Sequence, residues 1–233
     1  MIRLKILFII SLCTCSFADS WLDDAYGLWG VGLAARDRNY INADLVTAPG
    51  VYIFGGYGPL FIEANRAGLS LYRDGTWFGS VVVNIRSHQF RKDDEGLADR
   101  DVAFEAGIHL GRRLPAGWVS RFAFLHDISG AHKSYEADLQ FYRHTYFGGL
   151  RLLTAIGVQY QQQKLVDYYY GTDSYTPENA WAGEIEIIAT YPFGNWGVFV
   201  GTRIYGFDKQ VSNSPIADGS FINQFFAGFG YHF

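Results

Sequence analysis

Two pairs of residues have the types and spacing that catalysis could use. Glu184 and Glu186 lie two positions apart, so on a β-strand both carboxylates share one face, where they could act as general acid and base. His132 and Ser134 have the same spacing, which could place a base beside a hydroxyl nucleophile. No positioned nucleophile accompanies the carboxylates, and a His and a Ser two positions apart often arise by chance. We therefore expect both pairs to be structural, and the sequence predicts a protein that is not an enzyme.

Sequence motifs for metals and cofactors are also missing. His88, His109, His126 and His144 do not have the spacing of metal ligands, and no H-E-x-x-H motif occurs. The chain contains neither a G-x-S-x-G motif nor a glycine-rich phosphate loop. The sequence therefore predicts no metal centre and no cofactor.

Strands of alternating polarity must position the charged side chains. Segments of roughly ten to fourteen residues, such as 77–86 and 150–161, alternate between apolar and polar residues. A soluble β-sandwich would alternate too, but these segments are longer than the usual strand of about five or six residues. Aromatic residues often begin or end the apolar faces, as expected where an apolar band meets the two interfaces of a membrane. They are Trp77, Phe104, Tyr160, Trp181, Tyr191 and Trp196.

The end of the chain and its composition favour a membrane barrel. With 18% aromatic residues, 27 Gly and only 6 Pro, the sequence is that of an all-β protein. Phe229, Tyr231 and Phe233 alternate along the last segment, which resembles the assembly signal of outer-membrane barrels. Because every backbone group in lipid must be paired, such a sheet has to close. We expect a transmembrane antiparallel up-and-down β-barrel.

The connections between segments predict the number of strands. Short turns and long polar loops alternate, and eight strands follow residue 76. Residues 26–37 and 60–73 add one strand each, which gives ten. The apolar piece 51–57 would make eleven, an odd number that two termini on the same side do not allow. Either this piece lies outside the barrel wall, leaving ten strands, or it belongs to an additional pair, giving twelve.

One set of charged residues lies on the face of the predicted strands that would point into the barrel. These charges could line a selective pore, or they could pair across the interior and fill it. Since roughly eight strands are just filled by side chains and 16 to 18 leave a channel, ten to twelve favour paired filling. The set comprises Arg86, Glu105, Glu136, Asp138, Arg151, Glu184, Glu186 and Arg203.

Residues 1–18 have the pattern of a cleaved export signal. Arg3 and Lys5 precede an apolar run that is too short to span a bilayer, and small residues follow it. The barrel domain would then comprise residues 19–233. Acylation of Cys13 or Cys15 is the less favoured alternative. The signal contains two of the 19 basic residues and none of the 23 acidic ones, so the mature chain would have a formal net charge of −6, and we expect no nucleic-acid partner.

Two short motifs carry a family resemblance. The tract Tyr168-Tyr169-Tyr170-Gly171 follows a long strand, and Ser214-Pro215 precedes the last one. Both resemble the MltA-interacting protein (MipA)/OmpV family of Gram-negative outer-membrane proteins, although Thr172 and Asn213 replace the family's usual Val and Asp. The resemblance implies a scaffold that joins a murein-degrading lytic transglycosylase to a bifunctional murein (peptidoglycan) synthase. Other family members are described as porin-like or as surface antigens, so a narrow channel or an antigen or adhesin is the alternative.

The resemblance and the topology together predict the partners and where they bind. Outer-membrane lipid and lipopolysaccharide would surround the barrel. A murein scaffold would act through short periplasmic turns such as 113–118 and 193–196. The tract Tyr168, Tyr169 and Tyr170 could form an external contact surface or an aromatic belt at headgroup depth, and we favour the belt.

Overall fold

Twelve antiparallel strands close into a barrel in the computed structural model, which describes residues 25–41, 43, 45–86 and 100–233. Each strand pairs with its neighbours in the chain, and β1 pairs with β12 to close the sheet. The predicted signal at residues 1–18 and the predicted loop 91–99 lie outside the described residues. The strands are β1 (Ala25–Arg36), β2 (Val46–Tyr57), β3 (Leu60–Glu63), β4 (Arg66–Arg73), β5 (Trp77–Arg86), β6 (Ala103–Arg113), β7 (Trp118–Asp127), β8 (Tyr135–Phe147), β9 (Leu150–Gln161), β10 (Ala180–Phe193), β11 (Trp196–Phe207) and β12 (Phe221–His232).

The structure confirms the predicted all-β barrel and has twelve strands, the higher of the two predicted numbers. It corrects the strands predicted for the first part of the chain. Residues 60–73 do not form one strand, because the chain turns at Ala64, whose φ is 56°, and splits them into β3 and β4. The apolar piece 51–57 belongs to β2, which pairs along its length with β1. β3 pairs with β2 on one side and β4 on the other. The additional pair that makes twelve strands is therefore β2 and the short β3.

The barrel is apolar outside and polar inside. On β10, Ile185 and Ile187 point outward and are 51% and 42% exposed, whereas Glu184 and Glu186 point inward and are 8% and 5% exposed. This polarity is the reverse of that in a soluble protein and is typical of strands that face lipid. Among the described residues, no helix has the length and apolar character needed to cross a membrane.

The two ends of the barrel differ in their connections. At the turn end, the strands are joined by short connections such as Gly194-Asn195. On the opposite side, apart from the two-residue turn between β3 and β4, the connections are long, and two of them contain the helices α1 (Gln163–Tyr170) and the single turn α2 (Lys209–Ser212). This side is the loop end. The side chains of Gln162 and Asp208 cap the two helices by accepting hydrogen bonds from Lys164 N at 3.0 Å and Gln210 N at 2.9 Å.

Aromatic side chains of the last strand lie at the turn end. The ring of Tyr231 contacts those of Trp196 at 5.4 Å and Phe233 at 4.9 Å, and Phe233 contacts Trp29 of β1 at 5.2 Å. Phe229 points outward and is exposed. The C-terminal aromatics therefore help to form the girdle at this end. Their role as an assembly signal remains a prediction.

Glycines allow the first and last strands to approach closely. Gly30 pairs with Gly230, and Gly32 pairs with Gly228. A Cβ atom on Gly228 would lie 2.3 Å from the carbonyl oxygen of Val31 and 2.5 Å from the ring of Phe199. Phe199 therefore packs directly on this seam. It belongs to an apolar stretch of the barrel interior that we call the aromatic wall, formed by Leu28, Tyr52, Phe54, Leu153, Ile188, Phe199 and Phe226.

Candidate functional site in the barrel lumen

The first cluster of predicted lumen charges is centred on Arg86. Its Nε donates to Glu105 Oε1 at 2.8 Å on the neighbouring strand, and its Nη2 donates to Glu136 Oε2 at 2.8 Å across the interior. Asn84 Nδ2 donates to Glu105 Oε2 at 2.5 Å. Glu105 and Glu136 are almost fully buried, so both carboxylates depend on Arg86 for a compensating charge.

A second cluster is formed by Glu184, Glu186 and Arg203. Both carboxylates point inward from β10 and bind the guanidinium of Arg203 on β11, Glu184 at 3.2 Å and Glu186 through a short charge-assisted hydrogen bond. Cross-strand pairing of Glu186 with Arg203 places these side chains next to each other. Because both carboxylates are bound to one cation, the arrangement is an ion-pair cluster and not a general acid and base.

Two further ion pairs involve residues that the sequence did not single out. Arg66 Nη2 lies 3.1 Å from the predicted Asp138, and Arg121 Nη1 lies 2.6 Å from Glu63. Arg121 also donates to Gln140 at 2.9 Å. Arg121 has the inward register of β7, which the same alternation could have revealed. Arg66 and Glu63 flank the turn that the sequence did not reveal, so their register could not be assigned.

The ion pairs cross the interior without filling it. A cavity of about 1210 Å³ remains inside the barrel, and its lining extends from Tyr169 and Tyr170 near the loop end to Arg113 and Arg151 at the turn end. Within the described residues the predicted charges other than Arg151 form ion pairs, but in this barrel of twelve strands they do not fill the lumen. A barrel of twelve strands is wide enough to leave space beside the ion pairs.

Arg151 is separate from the other predicted lumen charges. It is the second residue of β9, and it is exposed where the cavity opens at the turn end. Its guanidinium lies 5.7 Å from the ring centre of Tyr146 on β8. Arg151 therefore contributes to the mouth of the lumen and not to its interior clusters.

His132 and Ser134 are engaged with different partners. His132 Nε2 lies 3.1 Å from Glu105 Oε1, and the hydroxyl of Ser134 donates a short hydrogen bond to Gln162 Oε1. Both side chains are buried. His132 therefore contacts the Arg86 cluster, while Ser134 contacts the loop that begins α1.

The tyrosine tract lies within α1 and packs over the loop end of the lumen. Tyr169 and Tyr170 are 1% and 3% exposed, which corrects both the exposed-surface and the interfacial-belt interpretations. The sequence predicts the tract in the loop after a long strand, whereas the structure places it in a helix that apolar residues from distant loops bury. Tyr168 is partly buried, and its hydroxyl accepts a hydrogen bond from Asp101 N at 2.7 Å. We call the buried cluster the tyrosine lid: Tyr40, Leu165, Val166, Tyr169, Tyr170, Val211 and Ala217.

Polar contacts hold the tyrosine lid together. Tyr40 donates its hydroxyl hydrogen to the carbonyl oxygen of Tyr169 at 3.2 Å, and its ring stacks on Tyr170 at 5.4 Å. Burial raises the pKa of Tyr40 well above its usual value, so this hydroxyl stays a donor at neutral pH. Ser214 Oγ donates to the carbonyl oxygen of Tyr170 at 2.6 Å, whereas the adjacent Pro215 is exposed. Gly171 N closes α1 on Asp167 O at 2.8 Å.

Two known proteins resemble this chain along its whole length. The MltA-interacting protein of Escherichia coli (strain K12) is 25% identical over 252 residues, which cover 100% of both chains, and that of Shigella flexneri matches equally. The "Putative outer membrane protein YiaT" of Escherichia coli (strain K12) is 26% identical over 148 residues, covering 59% of this chain and 60% of that protein. These relatives and the membrane barrel place the protein in the outer membrane.

A solved structure supports the fold, and a family model supports the kinship. The NanC porin structure superposes with a TM-score of 0.52 at 9% identity, covering 89% of this chain and all of that one, which shows a shared fold. The sequence model of the family described as MltA-interacting protein MipA matches residues 29–233. The chain therefore belongs to the MltA-interacting protein MipA family.

Proposed function

We propose that this protein is an outer-membrane scaffold that binds a lytic transglycosylase at the turn end of its barrel. The observation that carries the proposal is the match, along the entire chain, to a relative named for its interaction with MltA. A partner-binding role needs no catalytic residues, and the paired carboxylates and the His132/Ser134 pair are engaged in structural contacts. The protein would thus act by binding and not as an enzyme.

The topology favours the turn end as the contact surface. In outer-membrane barrels the short turns face the periplasm, where murein and its enzymes lie, and the long loops face outward. The tyrosine lid packs over the loop end. At the turn end, Pro115, Ala116 and Gly117 form an exposed 3-10 turn, and Gly194 and Asn195 form an exposed second turn. These segments lie within the predicted contact ranges 113–118 and 193–196.

A bifunctional murein synthase would be the second partner. A scaffold of this kind must hold both enzymes at once, so the two turns would bind different proteins. Lipid and lipopolysaccharide would contact the outward apolar face, on which Ile185, Val200 and Phe225 are exposed.

Binding to purified enzyme tests the proposal. We would immobilise the mature chain in detergent and measure its binding to a purified MltA-type lytic transglycosylase by surface plasmon resonance. We expect saturable binding that Pro115→Glu weakens at least about tenfold, because an uncompensated charge is placed in the interface. Thr176→Glu, which adds the same side chain to an exposed position at the loop end, is the matched control and should bind like the wild type. Absence of binding to the wild-type barrel would contradict the scaffold function.

A narrow channel is the second candidate function. The observation that favours it is the cavity of about 1210 Å³ that extends along the barrel axis. The likeness to a porin adds support for the fold only. Conductance of the purified barrel in a planar bilayer distinguishes the candidates, since a scaffold covered at its loop end should show little ion flow.

A further inference from the structure

The lumen as a whole carries more positive than negative charge. Among the described residues that line the cavity there are eight arginines and five carboxylates, a formal excess of three positive charges. Glu105 is not among the lining residues, but it is buried against Arg86. Counting its carboxylate as well reduces the excess to two positive charges. All five lining carboxylates form ion pairs with Arg66, Arg86, Arg121 or Arg203. The surplus is therefore held by other arginines.

Three of these arginines lie close to the turn end of their strands. Arg73 is the last residue of β4, Arg113 is the last of β6, and Arg151 is the second of β9. All three are exposed and line the cavity, and within the described part of the chain none of them forms an ion pair. Phe78 of β5 pairs with Arg73 on one side and with Gly111, two residues before Arg113, on the other, so Arg73 and Arg113 lie in neighbouring parts of the mouth.

A β-bulge directs one of these arginines into the lumen. Ser70 pairs with Ser80, but Tyr72 pairs with Gly79 and Arg73 with Phe78, so the register shifts by one residue. Without the shift, Arg73 would pair with Trp77 and share its outward direction. With the shift it shares the inward direction of Phe78, which lines the cavity. Bulges commonly redirect a side chain next to a functional site, so the inward arginine is a built feature.

The cavity also has an apolar side. Five residues of the aromatic wall belong to its lining: Leu28, Phe54, Leu153, Ile188 and Phe199. A small-molecule site usually combines such an apolar surface with a few polar groups that orient the ligand. Guanidinium groups bind carboxylates and phosphates through paired, charge-assisted hydrogen bonds.

We propose that the turn-end mouth of the lumen is a binding site for organic anions from the periplasm, with Arg73, Arg113 and Arg151 holding the acidic groups and the aromatic wall holding the apolar part. The size of the cavity suits a small solute and not a folded protein domain. Arg113 lies two residues from Pro115 in the proposed contact turn, but the test of this site uses a small ligand and no enzyme, so each proposal can fail without the other.

Isothermal titration calorimetry on the mature chain in a non-ionic detergent tests this site. The probe is benzene-1,3,5-tricarboxylate, and the matched uncharged ligand is the corresponding tricarboxamide. We expect the tricarboxylate to bind and the tricarboxamide to bind at least about 100-fold more weakly, because it lacks the charges that the arginines recognise. Higher salt should also weaken the binding of the tricarboxylate.

Adjacent arginines in the chain provide a matched control for the variants. Arg113→Gln should weaken binding about tenfold, because it removes one charged hydrogen-bond donor from the mouth. Arg112→Gln should have no effect, because Arg112 points outward over the ring of Trp77 at 5.0 Å. Arg113→Lys keeps the charge but loses the paired donors of the guanidinium, so it should bind more weakly than the wild type and more tightly than Arg113→Gln. The proposal is overturned if the wild type does not bind the tricarboxylate, if the tricarboxamide binds equally well, or if Arg112→Gln weakens binding as much as Arg113→Gln.

Discussion

Ser214 donates a buried hydrogen bond of 2.6 Å to the carbonyl oxygen of Tyr170. This contact joins the two sequence motifs that carry the family resemblance, which are 44 residues apart in the chain. It fixes the loop after β11 to the end of α1, and so it holds the tyrosine lid over the lumen. The motifs are therefore explained by the packing of the loop end, whereas the proposed partner binds at the turn end.

Ser214→Ala should loosen the tyrosine lid without unfolding the barrel. The variant leaves the buried carbonyl of Tyr170 without this donor, at a cost of roughly 1 to 3 kcal/mol. We expect faster amide hydrogen exchange in residues 163–170 and 209–217, with unchanged exchange in β10. Ser174→Ala, at an exposed loop position, is the control and should exchange like the wild type. Equal exchange in the two variants would show that Ser214 does not hold the lid.

Val211→Asp should increase ion flow through the barrel. Val211 is fully buried in the tyrosine lid, and a carboxylate at this position would have to be desolvated or force the lid apart. We expect a several-fold higher conductance in planar bilayers than for the wild type. Val211→Ala keeps the site apolar and should remain close to the wild type. High conductance of the wild type itself would favour the channel function.

Arg86→Met should destabilise the barrel strongly. The substitution keeps an extended side chain but leaves Glu105 and Glu136 buried without their shared cation, which costs about 3 to 5 kcal/mol. The free energy of unfolding in urea, measured on barrels folded into lipid vesicles, should fall by this amount. Arg112→Met removes an arginine from the outer face and should change the stability by less than about 1 kcal/mol. Adding Glu105→Gln and Glu136→Gln to Arg86→Met should restore part of the loss.

Gly228→Ala should impair closure of the barrel. The added methyl group would overlap the backbone of β1 and the ring of Phe199 at the seam, so both strands would have to shift. We expect a smaller folded fraction, seen as loss of the compact band on unheated electrophoresis gels. Gly183→Ala is the control, because a Cβ atom there would have no neighbour within 4 Å. Equal folding of the two variants would show that the seam tolerates side chains.

Much of the barrel could be predicted from local alternation. Glu184 and Glu186 alternate with Ile185 and Ile187, and the structure places the two pairs on opposite faces, as this period requires. The same logic gave the inward direction of Glu105 and Glu136. Which carboxylate binds which arginine depends on the closure of the whole sheet, so alternation alone could not predict the pairs.

Two features could not be predicted from the local sequence, each for its own reason. Ala64 has positive φ without being glycine, so the turn that separates β3 from β4 has no strong signal in the sequence. Residue type alone does not separate a buried Tyr169 and Tyr170 from tyrosines of an interfacial belt. Only contacts with Tyr40 and Val211, from two other loops, show that they are buried in a lid.

Photo-cross-linking in intact cells tests the central claim most directly. A benzoylphenylalanine at position 115, in the exposed turn after β6, should form a cross-link with the lytic transglycosylase. The same group at position 176, at the loop end, should form none. Cross-linking from position 115 alone is the result that the scaffold function predicts. If position 115 captures no lytic transglycosylase, or if position 176 captures it equally, the proposed binding at the turn end is contradicted.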